Sequence, residues 1–232
     1  MTFDPAAHTL DERRRRSTPS AAEFAFQHVW RAISHGAIAP GSTVTEEGLA
    51  AGIFVSRTPL RDAIRRLETL GLLVREPSRG LRVAQLSMRD MLDLSMTREA
   101  LEALFAASAA QRVARGEADP AQLRGIHERL RAVQAIGDAD LALAVGIDFH
   151  EELRGLADNR PARLLHQQVL LAFERYRYLT RQAPTRSENV LAEHAAILEA
   201  VEAGDAEAAE ARMRSHISAG RGLYTEVLPG LL

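Results

Sequence analysis

Three histidines and a ladder of arginines are the side chains of this 232-residue sequence whose type and spacing could do chemistry. His150, His194 and His216 fall on three separate stretches with helical periodicity. Imidazoles converging from facing helices can bind Zn, Ni or Mn, all of which accept nitrogen ligands. The sequence has no cysteine, so disulfides are excluded and any metal must use histidine, carboxylate or water. The other reading of the same residues is three buried, hydrogen-bonded histidines without a metal. Arg57, Arg61 and Arg65 recur at four-residue steps, which places them on one face of a helix. Such a face is either solvated or turned towards something anionic.

The elements around these arginines decide between the two. Ser56 stands at a helix start and can cap free backbone N–H groups, and Pro59 falls in the first turn, where it sacrifices no hydrogen bond. Leu60, Ile64, Leu67 and Leu70 form an apolar stripe, and Gly71 stops the helix. Two apolar runs, Leu72 to Val74 and Leu81 to Ala84, flank the turn Pro77-Ser78-Arg79-Gly80 and predict a hairpin. Upstream, Ala21 to Ser34 carries Phe24, Phe26, Val29, Trp30 and Ile33 on a helix, Ala39-Pro40-Gly41 makes a turn, and Thr45 starts a short helix. Three helices followed by a wing, with the third helix basic, outline a winged helix-turn-helix that puts its third helix in the DNA major groove. There Arg57 and Arg61 would donate bidentate hydrogen bonds to guanine O6 and N7, while Arg65 and Arg79 would reach phosphates.

Composition agrees with a helical protein of one or two domains. Hydrophobic residues make up 46% and aromatics only 5%, which suits packed helices better than a sandwich or barrel. No run is apolar enough to span a bilayer and the start carries no signal-peptide core, so a cytoplasmic protein without membrane contact is expected. Residues 1–86 hold 12 Arg against 9 acids and residues 87–232 hold 17 Arg against 22 acids, so a basic head precedes an acidic body. Residues 1–20, with Pro5, Pro19 and the run Arg13 to Arg16, read as a flexible tail, residues 21–86 as the DNA-binding domain, and residues 87–232 as a second domain.

That second domain reads as six helices with short connections, an all-α antiparallel bundle. Ser87 and Asp90 resemble a capping box at the head of a helix running towards Arg115. Pro120 opens the next, up to Gly137; a third runs from about Asp138 to Leu156 and a fourth from Pro161 to about Arg181. Gln182 to Arg186 is expected as a loop, Ser187 to Ala203 as the fifth helix, and Asp205 to about Ala219, stopped by Gly220, as the sixth.

Over Ala32 to Val83 the run "SRTPLRDAIRRLETLGLL", followed by "PSRG", resembles the DNA-binding domain of the GntR family of bacterial transcription factors. The resemblance implies operator contacts by Arg57, Thr58 and Arg61 and a wing tip at Arg79 and Gly80. Glu47 stands where many members have an operator-contacting arginine, and Phe54 replaces the usual turn glycine, which predicts a wider or strained turn. Beyond residue 87, "RDMLDLSMTREALE", "FHEELRGLADN", "EHAAILEAVEAGD" and "RSHI" are similar to the FCD domain, the ligand-sensing bundle of the FadR subfamily. Metal-containing FCD domains supply three histidines, matched here by His150, His194 and His216, and an aspartate four residues before the first. Gly146 occupies that place. A shifted site that uses Asp148 is the other metal reading, but Asp148 lies two residues from His150, about 200° round a helix, and cannot share its face without distortion. Arg98 falls at a family position that faces the bundle interior, where it would hold a carboxylate or pair with a bundle acid. Arg175, Tyr176, Tyr178 and Arg181 are expected to border the same cavity.

The function expected is a homodimeric regulator, a repressor, that binds a palindromic double-stranded operator and senses a small organic-acid or sugar-acid effector, through a bound divalent metal. The competing readings are a metal-dependent enzyme with Asp148, Glu151 or Glu174 as general base, and a constitutive repressor without ligand.

Overall fold

Gly41 and Ser42 anchor a small sheet that the sequence pattern did not suggest. In the computed structural model, which describes residues 19–77, 80–180 and 189–230, the Gly41 amide donates to Val83 O and the Val83 amide to Ser42 O, both at 2.9 Å. These bonds turn Thr43–Val44 (β1) into a third strand beside the expected hairpin, Leu73–Glu76 (β2) and Gly80–Val83 (β3). The strand order is β1-β3-β2, with Thr43 opposite Arg82 and Leu73 opposite Val83. Gly41 has φ +79°, a conformation that favours glycine, and the end of the Gln85 side chain packs against it where a Cβ would stand.

Two compact units divide between Gln85 and Leu86. In the first, Ala21–Ser34 (α1), Glu46–Leu49 (α2) and Arg57–Thr69 (α3) pack around Phe26, Val29, Ile33, Leu60, Ile64 and Leu67. Phe24, read as part of the apolar face of α1, is half exposed instead. Ser20 Oγ caps α1 at Glu23 N and Thr45 Oγ1 caps α2 at Gly48 N. Ser56 occupies the N-cap position of α3 as expected, but its side chain makes no cap bond.

The second unit contains, among the described residues, Met88–Ala114 (α4), Ala121–Ala135 (α5), Ala139–Ala157 (α6), Arg160–Thr180 (α7), Val190–Glu202 (α8) and Ala206–Val227 (α9), ending in a 3₁₀ turn at Leu228–Gly230. α4 packs against α6, α7, α8 and α9. It can do so because Ala106, Ala109 and Ala110 leave room for Phe149, Leu153, Ile197, Val201 and Met213. Ser87 Oγ accepts from Asp90 N, the first half of the predicted capping box.

The last helix corrects the sequence reading. α9 does not stop at Gly220 but runs through Gly222 to Val227. Two helical glycines cost about 1 kcal/mol each against alanine. Tyr224, edge-on to Phe173 at 5.1 Å, and buried Leu228, packed with Met91, Phe173 and Tyr176, outweigh that cost. The expected loop Gln182 to Arg186, the start of the fifth helix at Ser187, Arg79, Arg181 and the arginine run of the tail lie outside the described residues.

Candidate functional site

Arg57, Thr58, Arg61 and Arg65 all project from the exposed side of α3, opposite its buried Leu60, Ala63, Ile64 and Leu67. Arg61 Nε donates to Glu46 Oε2 at 3.0 Å, and Arg65 lies 3.5 Å from Asp62. Arg66 has another task. It donates to Glu23 at 2.7 Å and lies over the Phe26 ring at 3.8 Å, tying α3 to α1. That hydrogen bond holds the Glu23 carboxyl below its ordinary range. Gly80 opens β3 at φ +78°, exposed beside the wing turn. The strain expected at Phe54 is absent. The left-handed conformation of this turn falls on Gly52, φ +82°, while Phe54 is fully exposed with an ordinary φ.

In the second unit α6 carries His150, α8 His194 and α9 His216, and the three rings meet. Nε2 of His216 lies 3.3 Å from Nε2 of His194 and 3.3 Å from Nε2 of His150. One ligand nitrogen from each residue falls within 4.8 Å of the other two. Phe149 stacks on His194 with ring centroids 4.3 Å apart and fixes its plane.

Two carboxylates set the chemistry from behind. Glu102 Oε2 faces His150 Nδ1 at 3.2 Å, and Glu193 Oε2 faces His216 Nδ1 at 2.7 Å. An ionised carboxylate only accepts, so both Nδ1 atoms carry the proton and both Nε2 lone pairs point into the cluster. Two lone pairs facing each other at 3.3 Å repel unless a cation sits between them. The donor set therefore fits a divalent ion held by three neutral imidazoles. Burial supports neutrality: it pushes His150 down to about 4 against the opposing pull of Glu102, and lowers His194 and His216 as well.

Glu102 is a hub that sequence reasoning missed. Besides His150 it lies 3.1 Å from His166 Nε2, 3.3 Å from Arg154 and 3.5 Å from Arg98. Burial alone would raise its carboxyl, but the hydrogen bond from His150, the adjacent His166 imidazole and the Arg98 charge outweigh this and hold it well below the usual range. The signal was there: Glu102 stands four residues after Arg98, on the same helix face. Glu193 had none beyond preceding His194.

The cluster opens on a cavity of ≈ 500 Å³ whose walls include Arg98, Leu130, Leu143, Gly146 and the three histidines. Arg98 thus both pairs with a bundle acid and faces the cavity. Asp148 does neither: it is exposed and pairs with Arg129, outside the cluster, as the helical angle from His150 requires. The expectation for α7 is corrected too. Its residues do not line this cavity; the Tyr176 hydroxyl bonds instead to the backbone of Ser87, and Tyr176 packs with Met91 and Phe173. Arg175 is buried on the same helix and Tyr178 partly exposed.

Comparison with known proteins matches this division. Residues 21–83 match "Bacterial regulatory proteins, gntR family" and residues 93–219 match "FCD domain". The chain is 32% identical over 188 residues to a protein of Paenarthrobacter nicotinovorans named "Probable D-xylose utilization operon transcriptional repressor", covering 81% of each. It is 28% identical to the HTH-type transcriptional repressor RspR of Escherichia coli, again over 81% of both chains. Among solved structures, E. coli McbR/YncC has the same fold, with a TM-score of 0.69 at 20% identity over 90% of this chain and 99% of the other. A GntR regulator from Rhodococcus follows at 0.66 and 21%, with the same coverage. These relatives are regulators of transcription and not enzymes, which sets aside the catalytic reading of the histidines. A winged helix-turn-helix head with its arginine face, followed by an FCD bundle, makes this chain a member of the GntR family of bacterial regulatory proteins, a DNA-binding regulator of transcription.

Proposed function

We propose that this regulator is a metabolite-responsive repressor of the FadR type. In this reading the bundle holds Zn, Ni or Mn on His150, His194 and His216, and a small carboxylate effector binds at the open coordination positions with Arg98 as its second anchor. The metal would supply a Lewis-acidic, positively charged point for an effector oxygen. The observation that carries the proposal is the meeting of three Nε2 atoms, two of them 3.3 Å from the third, at the wall of a ligand-sized cavity.

Arg57, Thr58 and Arg61 are assigned to base contacts, and Arg65, Arg79 and Gly80 to the DNA backbone. Their support is the exposed α3 face and the exposed Gly80; Arg79 rests on the sequence. A single head reads few base pairs, so a homodimer on a palindromic operator in the cytoplasm is proposed. The word repressor in the names of two relatives supports the sign of regulation. Effector binding acts only if it favours one presentation of the two heads over the other. Elemental analysis of the purified protein and of His194→Ala tests the metal: bound metal in the first and its loss in the second is the expected result. Thermal-shift screening with organic and sugar acids, with metal added or chelated, tests the effector.

A further inference from the structure

The cavity beside the histidines has an uneven chemistry. Polar side chains apart from Arg98 and the histidines, namely Gln134 and Asp138, are exposed, and Asp138 is already engaged in capping Leu141 N. The remaining wall is hydrocarbon: buried Leu130, with Ala142, Leu143, Ile147 and Val190 around it. Hydroxyls of a polyhydroxylated acid lying against this hydrocarbon wall would give up water without a partner, at a cost that disfavours such ligands.

The histidine side has a gap of its own. Gly146 lines the cavity one helical turn before His150, with a helical φ, and a Cβ added there would lie 3.8 Å from His194 Cε1, an ordinary contact. The position could accept a side chain and has none. Glu102 and Glu193 are engaged behind the rings, and Asp148 pairs with Arg129, so among the described residues no carboxylate reaches the front of the cluster. A dication on three neutral imidazoles would keep its full charge.

We infer that the ligand of this cavity supplies the missing anionic metal ligand itself, and that it is a monocarboxylate with an apolar body, aliphatic or aromatic, rather than a sugar acid. The inference rests on the proposed metal site. Metal and acid then bind interdependently, each tightening the other by the same factor.

Zinc affinity of the full-length protein, measured by competition with a chelator, tests this. The probes are zinc alone, zinc with isovalerate, hexanoate or phenylacetate, and zinc with gluconate or xylonate. At least one apolar acid should tighten zinc by about tenfold or more, and the sugar acids by less than about twofold. Gly146→Asp should tighten zinc without any acid and erase the effect of the apolar acid, with helical circular dichroism equal to the parent's as the check that it folds. Sugar acids tightening zinc as strongly, no apolar acid doing so, or Gly146→Asp leaving the coupling intact overturns the inference while zinc binding by the parent preserves the metal site. No zinc uptake by the parent under any condition removes the metal site, and the inference with it.

Discussion

The Oε2 atom of Glu102 lies 3.2 Å from Nδ1 of His150, across 48 positions of sequence and in a place where Glu102 is wholly buried. This contact fixes which nitrogen of His150 is free to bind, and it ties Arg98, Arg154 and His166 to the same carboxylate. Losing it should therefore disturb both metal binding and stability.

Glu102→Gln should weaken metal affinity roughly 10- to 100-fold, the usual effect of losing a carboxylate that orients a ligating histidine. Glu102→Ala should also cost on the order of 1–3 kcal/mol of stability, because buried Arg154 and His166 lose this carboxylate, while Arg154 keeps its pair with Glu151 at 2.6 Å. Metal titration and denaturant melts of the two variants separate these effects. Unchanged metal affinity in Glu102→Gln would show that the tautomer is fixed by other means.

On the DNA side, Arg61→Ala should cost about 1–3 kcal/mol of operator binding and relax the preference at one base pair. Arg65→Ala should weaken all duplexes alike and lower the salt slope by about one. Gel-shift titrations at several salt concentrations measure both. An Arg61→Ala protein that binds its operator as the parent does would remove α3 from the major groove.

With metal chelated, stability should fall as the pH drops from about 7 to about 5. His150 sits near 4 in the folded chain and near the ordinary 6.5 when unfolded, so in this window the unfolded chain binds more protons. Stability therefore rises with pH here, by roughly 2 kcal/mol for His150 alone, and His194 and His216 act in the same direction. Glu102 contributes only below the ordinary carboxylate range. Urea midpoints at pH 7 and pH 5 read the effect, and equal midpoints would contradict buried, neutral imidazoles.

Gly204→Ala should destabilise the bundle by about 1–3 kcal/mol. The residue has φ +69°, and a Cβ there would lie 2.7 Å from Ala114 Cβ, where α4 ends. Gly220→Ala, on an open helical face, should instead be neutral or stabilising. Thermal melts of the pair check the contrast.

Local rules were enough for much of this protein. The caps at Ser87 and Thr45, the apolar stripe of α3 and the four-residue arginine ladder depend on neighbours within one or two turns, so the sequence carried them whole. The angle of Asp148 on its helix counted against it as a ligand in the same way, and its pairing with Arg129 took it away from the cluster. Contacts between distant segments were decided only in three dimensions. The strand at Thr43, the continuation of α9 past Gly220, the diversion of Tyr176 to the Ser87 backbone and the carboxylates behind His150 and His216 each pair residues far apart in sequence. Periodicity says which face of a helix is apolar, but not which other face it will meet. That choice belongs to the packing of the whole core, where the gain from burial offsets local costs such as two glycines in a helix.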